Sequence, residues 1–357
     1  MTGLYIHIPF CKKKCLYCDF ISFEYDEQKA DAYIDALLKE TGKYKNEQIS
    51  TVYIGGGTPS VLTPKQFETL AEGINKNFDL NNVSEFTVEL NPESTTKEKL
   101  DTMFENKVTR LSFGLQSSND TELKSLGRLH NYNDFLTAYN AAREAGFDNI
   151  SVDLMYGTEN QTVENWQNTL DTVLKLNSEH ISLYPLTIEK NTPFDKQNKR
   201  TDPDLQGLMY NCACDKLQQG GFAHYEISNW AKNGKISKHN TLYWKNKEYI
   251  GLGVSASSYY KRNRFKNILN ADIYIKNAQC GAGCILETEY IDDALYNTES
   301  IMLGLRLAEG VDLNLFNHKQ HTLYKYLKQD LLVVKEGKVC LTEKGFWVSN
   351  SIISDFM

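Results

Sequence analysis

The segment Cys11-Lys12-Lys13-Lys14-Cys15-Leu16-Tyr17-Cys18 places three cysteines close together near the start of this chain. Cysteine thiolates are soft ligands that hold iron–sulfur clusters in proteins. A cubane 4Fe–4S cluster has four irons, so three cysteines leave one iron open to a small molecule. The spacing therefore predicts a cluster that takes part in chemistry and does not only pass electrons.

Two other interpretations of the cysteines are a zinc site with a distant fourth ligand and three unrelated core residues. Zinc sites usually pair their ligands as two C-x2-C units, and the sequence has no second such unit. A second motif, Gly55-Gly56-Gly57-Thr58-Pro59, follows at the end of a predicted strand. Glycines allow a ligand to approach the backbone closely, so the two motifs together favour the cluster.

Composition indicates a globular protein with one large and one small domain. The chain has 357 residues, eight cysteines and a net charge of −7. Cluster cysteines must stay reduced, which predicts a cytoplasmic location. The acidic balance argues against nucleic acid as the main partner. No apolar run is long enough for a membrane span, and no signal peptide is visible.

Predicted strands alternate with amphipathic helices over the first 200 residues, which indicates parallel βαβ units. Six such units predict an α/β fold, a partial (β/α)6 barrel. The predicted strands are Leu4–Ile8, Thr51–Ile54, Phe86–Leu90, Arg110–Gly114, Ile150–Leu154 and His180–Tyr184.

Polar residues fall at or just past the carboxyl ends of these strands. They are the Gly55–Gly57 run, Glu89, Gln116, Asp153 and Tyr184. In (β/α) barrels this is the face where active sites are built. The cysteines follow the first strand, so we expect all of these residues to converge on one mouth.

The pattern changes after the barrel and predicts three regions: residues 1–220 as the barrel, 221–285 as an extension, and 286–357 as a C-terminal domain. Phe222–Ser228 predicts a seventh strand. Leu332–Leu341, with Glu336-Gly337 at its centre, predicts a hairpin followed by a last helix. The C-terminal domain is therefore expected to be winged-helix-like.

The two motifs resemble those of the radical S-adenosylmethionine (SAM) superfamily, with Tyr17 as the aromatic residue just before the last cysteine. The resemblance implies a 4Fe–4S cluster on Cys11, Cys15 and Cys18, with SAM on the open iron. It also implies that nine residues contact SAM: Tyr5, Tyr17, Gly56, Gly57, Thr58, Glu89, Gln116, Arg128 and Asp153.

More narrowly, nearly the whole chain resembles the branch that contains oxygen-independent coproporphyrinogen III oxidase and HemW-like heme chaperones. Phe20 stands where the oxidase has a further cysteine, and Tyr5 lies almost at the start of the chain, where the oxidase has a long extension. His239-Asn240-Thr241-Leu242-Tyr243-Trp244 matches the HNxxYW signature of HemW-like proteins. The resemblance implies that His239, Tyr243 and Trp244 contact heme. Where relatives have a histidine after Gly251, this chain has Ser258 nearby.

The function implied is that of a heme chaperone that binds heme, a cluster and exchangeable SAM, and delivers heme to an acceptor protein. A reductant such as flavodoxin or ferredoxin is a further expected partner. The first alternative is a coproporphyrinogen III dehydrogenase of heme biosynthesis. The second is a radical enzyme acting on an unrelated substrate such as tRNA, which the acidic charge disfavours.

Overall fold

The computed structural model describes residues 2–357, which form seventeen strands and fourteen α-helices. The strands are β1 (Thr2–Ile8), β2 (Phe10–Cys11), β3 (Phe23–Glu24), β4 (Ile49–Gly56), β5 (Glu85–Leu90), β6 (Arg110–Gln116), β7 (Ile150–Tyr156), β8 (His180–Pro185), β9 (Ala223–Glu226), β10 (Asn229–Ala231), β11 (Tyr249–Leu252), β12 (Ser257–Tyr260), β13 (Asn263–Asn267), β14 (Ile285–Tyr290), β15 (Val311–Asp312), β16 (Leu332–Lys335) and β17 (Lys338–Leu341). The helices are α1 (Glu27–Thr41), α2 (Pro64–Asn77), α3 (Lys97–Glu105), α4 (Asp120–Ser125), α5 (Tyr132–Glu144), α6 (Val163–Leu174), α7 (Pro193–Lys196), α8 (Pro203–Gln219), α9 (Lys238–Trp244), α10 (Ala271–Gln279), α11 (Asp293–Gly304), α12 (Gln320–Lys328), α13 (Glu343–Trp347) and α14 (Ser349–Ser354).

Six parallel strands form the centre of the main sheet, in the order β1-β4-β5-β6-β7-β8. At least one α-helix lies between each pair of consecutive strands in this series. The full twelve-stranded sheet runs from β14 to β9, and these two edge strands are not neighbours. The predicted α/β fold with six parallel strands is confirmed, and the sheet is open.

The predicted seventh strand exists as β9, but it does not extend the parallel series. It pairs antiparallel with β10, which in turn pairs antiparallel with β8. The seventh parallel strand is β11, which adds to the other side of β1. Strands β12 to β14 continue from it as an antiparallel meander. The residue pattern predicts that a strand forms. The neighbouring strand with which it pairs depends on long-range packing, which the pattern does not specify.

Alternating side chains give the parallel strands two different faces. In β6, Leu111, Phe113 and Leu115 join the large hydrophobic core, whereas Arg110 and Ser112 line a cavity. Strands β5, β7 and β8 show the same alternation. Successive side chains of a strand point to opposite faces, so the apolar face packs on the helices and the polar face lines the barrel interior.

The C-terminal region has a separate hydrophobic core that includes Ile301, Phe316 and Ile352. The predicted hairpin is confirmed as β16 and β17, and β15 pairs with β17 to complete a three-stranded sheet. Glu336 and Gly337 have φ values of 50° and 76°, as a tight two-residue hairpin turn requires. Among residues 2–357, no helix combines the length and the apolar character needed to cross a membrane.

Candidate functional site

A cavity of about 510 Å³ lies at the carboxyl ends of the parallel strands and extends into the barrel. Its lining includes the three motif cysteines and eight of the nine residues expected to contact SAM. These residues are Cys11, Cys15, Cys18, Tyr17, Gly56, Gly57, Thr58, Glu89, Gln116, Arg128 and Asp153. Residues that are far apart in the sequence therefore meet at one site, as the strand-end pattern predicts.

The cysteine loop is held to neighbouring segments by backbone hydrogen bonds at Leu16. The Leu16 N–H donates to the Leu126 carbonyl at 3.1 Å, and the Leu16 carbonyl accepts from the Phe194 N–H at 3.1 Å. Within the loop, the Cys18 N–H donates to the Cys15 carbonyl at 3.3 Å. Burial raises the pKa of the Cys11 thiol, and it raises that of Cys18 to about 11. Ligation requires the thiolate form, so metal binding here would release protons.

The arrangement of these thiols differs from a site for a single metal ion. Within residues 2–357, no three His, Cys, Asp or Glu side chains are close enough to hold one ion. The three thiols nevertheless face the same cavity, and soft sulfur donors suit iron–sulfur chemistry. The donor set fits a multi-iron cluster, whose ligands attach to different irons.

The glycine run lies flat against the end of β1 and the start of the cysteine loop. The Gly57 N–H donates to the Ile8 carbonyl at 2.9 Å, and a Cβ on Gly57 would lie 2.8 Å from that oxygen. Gly56 has a φ of 107°, and a Cβ there would lie 2.4 Å from the His7 ring. Only glycine fits at either position without displacing its neighbours.

Two partly buried carboxylates line the cavity. Glu89 accepts hydrogen bonds from the Tyr53 hydroxyl at 2.7 Å and from the Gly56 N–H at 3.1 Å. Asp153 accepts from the Ser112 and Ser151 hydroxyls at 2.9 and 3.1 Å. Burial raises the pKa of both carboxyl groups, and these hydrogen bonds oppose the rise. The cavity therefore offers fixed acceptors for a ligand with amino or hydroxyl groups.

The end of β6 positions both Gln116, through irregular backbone, and Arg128, through a contact at Gly114. The pairing register of β6 with β7 shifts between Gly114 and Gln116, and Gln116 has a φ of 72°. Such bulges redirect side chains near functional sites. The Arg128 Nη2 donates to the Gly114 carbonyl at 2.6 Å, and a Cβ at Gly114 would lie 3.0 Å from that nitrogen. Gly114 thus leaves room for the guanidinium.

Tyr5, the ninth expected contact, is not among the residues that line the cavity. Its hydroxyl lies 3.0 Å from His7 Nδ1, and His7 Nε2 lies 3.0 Å from the Ile21 carbonyl oxygen. A carbonyl only accepts, so Nε2 carries the proton and Nδ1 accepts from Tyr5. This pair ties β1 to the end of the cysteine loop.

His239 is completely buried, which differs from the accessible position expected for a heme contact. Its Nδ1 lies 2.8 Å from the Thr51 hydroxyl, and its Nε2 lies 2.7 Å from the Tyr243 hydroxyl. Ligation of heme iron would require the ring to lose a hydrogen bond and to leave the core. The geometry thus makes His239 a structural residue that joins α9 to β4.

The rest of the HNxxYW segment is more exposed. Trp244 packs against the Arg306 guanidinium, 4.4 Å from its ring centre, and Asn240 lines the cavity. Ser258 is buried and accepts a hydrogen bond from the Gly251 N–H at 2.8 Å. Of this segment, only Asn240 is among the residues that line the cavity, and it was not one of the predicted heme contacts.

Burial of His239 predicts a loss of stability in mild acid. Its folded-state pKa is lowered to about 3, whereas an unfolded chain protonates it near 6.5. The contribution of neutral His239 to the free energy of unfolding is therefore fully present above pH 6.5. It decreases as the pH falls, and about 2 kcal/mol is lost at pH 5. Burial also lowers the pKa values of His180 and His224.

We expect the free energy of unfolding of the apoprotein, measured in urea, to fall between pH 7 and pH 5. A His239→Gln variant should lose less over the same range, since glutamine has no proton to gain. Equal pH dependence in both proteins would contradict the buried neutral histidine.

Several lining residues were missed by the sequence prediction. They are Tyr53, Asn91, Arg110, Ser112 and Ser182. Four of them lie on the inward face of a strand, and the odd–even alternation within each strand is the signal that could have identified them. Asn91 follows β5 directly, outside this alternation.

Comparison with known proteins gives relatives over the whole chain. The radical SAM superfamily profile matches residues 5–173, and the HemN C-terminal domain profile matches residues 296–348. The heme chaperone HemW of Lactococcus lactis is 35% identical, with 100% of this chain and 97% of that protein covered. HemW of Bacillus subtilis is also 35% identical, with 100% and 99% covered.

Among solved structures, the coproporphyrinogen III oxidase HemN of Escherichia coli is similar in fold. The TM-score is 0.87 at 23% identity, covering 99% of this chain and 89% of that one. The mitochondrial radical S-adenosyl methionine domain-containing protein 1 of Danio rerio is 33% identical over 87% of this chain and 74% of its own length.

Proposed function

Because the chain belongs to the HemW family of the radical SAM superfamily, we propose that it is a heme chaperone. It would bind heme and deliver it to an acceptor protein, and it would carry a 4Fe–4S cluster and SAM. The observation that carries the proposal is the convergence of the three cysteines and eight expected SAM contacts on one cavity. The full-length similarity to proteins named heme chaperones supports the heme part.

Cys11, Cys15 and Cys18 would hold the cluster, which when bound supplies an electron to the SAM sulfonium if a reductant of the flavodoxin or ferredoxin type is present. Glu89 and Asp153 would accept hydrogen bonds from SAM. The glycine run would allow SAM to approach the backbone. Both carboxylates are partly exposed on the cavity wall, where a ligand could reach them.

The heme-binding part of the proposal rests on the names of the relatives, because no residue of the cavity indicates heme binding by itself. Tyr243 and Trp244 stay predicted heme contacts. His239 is left out because its burial and its two hydrogen bonds oppose ligation. Phe20, which is 62% exposed at the cavity, opposes the oxidase alternative, where a cysteine would stand.

The test is an anaerobic titration of heme into the cluster-reconstituted protein, followed by the Soret band. We expect saturation at one heme per chain. In parallel, the same preparation with SAM and a reductant is given coproporphyrinogen III, and we expect no decarboxylated product. Absence of saturable heme binding would overturn the proposal. Formation of the decarboxylated product would replace it with the oxidase.

A further inference from the structure

Cys11 and Cys15 are joined by a continuous chain of side-chain hydrogen bonds through three residues of the cavity wall. The Thr58 hydroxyl donates to Cys11 Sγ at 3.3 Å, and Arg128 Nη1 donates to Cys15 Sγ at 3.5 Å. Between these two donors lies Asn91, 2.9 Å from the Thr58 oxygen and 2.7 Å from Arg128 Nη2.

The direction of every bond in this chain follows from the chemistry of its members. A guanidinium can only donate, so the Asn91 carbonyl oxygen must face Arg128. The Asn91 amide nitrogen then faces Thr58 and donates to its hydroxyl oxygen. The hydroxyl proton of Thr58 is left for Cys11 Sγ. Asn91 thus sets which way the Thr58 hydroxyl points, although it touches neither cysteine.

Asn91 is itself held in place by its backbone. Its N–H donates to the Ser60 hydroxyl at 3.0 Å, and Ser60 is 2.6 Å from the Ser94 hydroxyl. Lys99 Nζ donates to the carbonyl oxygens of Ser60 and Ser94 at 2.6 and 2.9 Å. These contacts join the loop after β4 to the loop after β5, so the Asn91 amide has a fixed position between its partners.

We propose that Asn91 is a positioning residue that aims Thr58 and Arg128 at the thiolates of Cys11 and Cys15 and thereby raises the reduction potential of the cluster. The inference rests on the cluster assigned under the proposed function. Hydrogen bonds to cluster sulfurs stabilise the more negative, reduced state and are a recognised control of potential. Bonds in series also strengthen one another.

Asn91→Asp tests the direction of these hydrogen bonds, because aspartate has the same shape as asparagine but no amide proton. An aspartate still accepts from Arg128, but its second oxygen would take the Thr58 proton, and Cys11 would lose its donor. Thr58→Val removes the donor directly, and Thr58→Ser keeps it. The negative charge added by Asn91→Asp lowers the reduction potential whether or not Thr58 is present. The double variant Asn91→Asp/Thr58→Val therefore measures the effect of the charge without the hydrogen bond from Thr58 to Cys11.

The experiment is an anaerobic redox titration of the cluster, without SAM, followed by electron paramagnetic resonance. We expect Thr58→Val to weaken cluster reduction about tenfold, a fall of about 59 mV for one electron, and Thr58→Ser to restore it. Asn91→Asp should lower the potential more in the wild-type background than beside Thr58→Val. Equal shifts in both backgrounds would overturn the role of Asn91.

Iron and sulfide analysis of each protein separates this outcome from failure of the proposed function. If the wild-type protein assembles no cluster, the proposed function fails. If all variants hold a full cluster with the same potential as wild type, only the role of Asn91 fails.

Discussion

Replacement of Cys15 by serine is expected to remove nearly all of the iron–sulfur cluster from the reconstituted protein. A serine hydroxyl is a hard, weakly acidic donor that does not replace a thiolate on iron. Two cysteines would remain for a cluster that needs three. The measurement is the iron and sulfide content per chain after anaerobic reconstitution, together with the visible absorbance of the cluster.

Cys212→Ser is the matched control, because Cys212 is a partially buried cysteine like Cys15 but lies in α8, outside the motif. It should retain the wild-type iron and sulfide content. Retention of a full cluster in Cys15→Ser, or its loss in Cys212→Ser, would contradict the assignment of ligands.

Gly56→Ala is expected to weaken SAM binding at least tenfold while the cluster remains. Alanine at a φ of 107° is strained, and its Cβ would lie 2.4 Å from the His7 ring. Such strain costs on the order of 1–3 kcal/mol, and relief would move the Gly56 N–H away from Glu89. Isothermal titration of SAM into the reconstituted protein measures the affinity.

Gly42→Ala provides the control, since Gly42 has a φ of −58° and no atom within 4 Å of an added Cβ. It should bind SAM as the wild type does. Glu89→Gln tests the same contact without a backbone change, because glutamine has one acceptor oxygen where Glu89 uses two, one for the Tyr53 hydroxyl and one for the Gly56 N–H. Unchanged affinity in both Gly56→Ala and Glu89→Gln would show that this edge of the cavity does not bind SAM.

Much of the site could be predicted because its functional residues have characteristic spacings within short segments of the sequence. Three cysteines in one loop, and glycines or carboxylates at strand ends, belong to the same edge of a parallel sheet whatever the details of packing. Arg128 could be assigned only by resemblance, since it follows α4 and its place beside Cys15 depends on the space left by Gly114.

Other features depend on contacts between distant residues and could not be predicted from the sequence. The burial of His239 depends on Thr51, which lies in a barrel strand far away in the chain. The position of β9 at the sheet edge depends on its pairing with β10. The role of Asn91 became visible only when the distances to Thr58 and Arg128 fixed the direction of the bonds.

The central claim is that one cavity holds a cluster with an open iron and places SAM beside it. The most direct measurement is the electron paramagnetic resonance spectrum of the reduced, reconstituted protein with and without SAM. The account predicts that SAM changes the spectrum and saturates at one molecule per chain. An unchanged spectrum, in a protein with full iron and sulfide content, would contradict it.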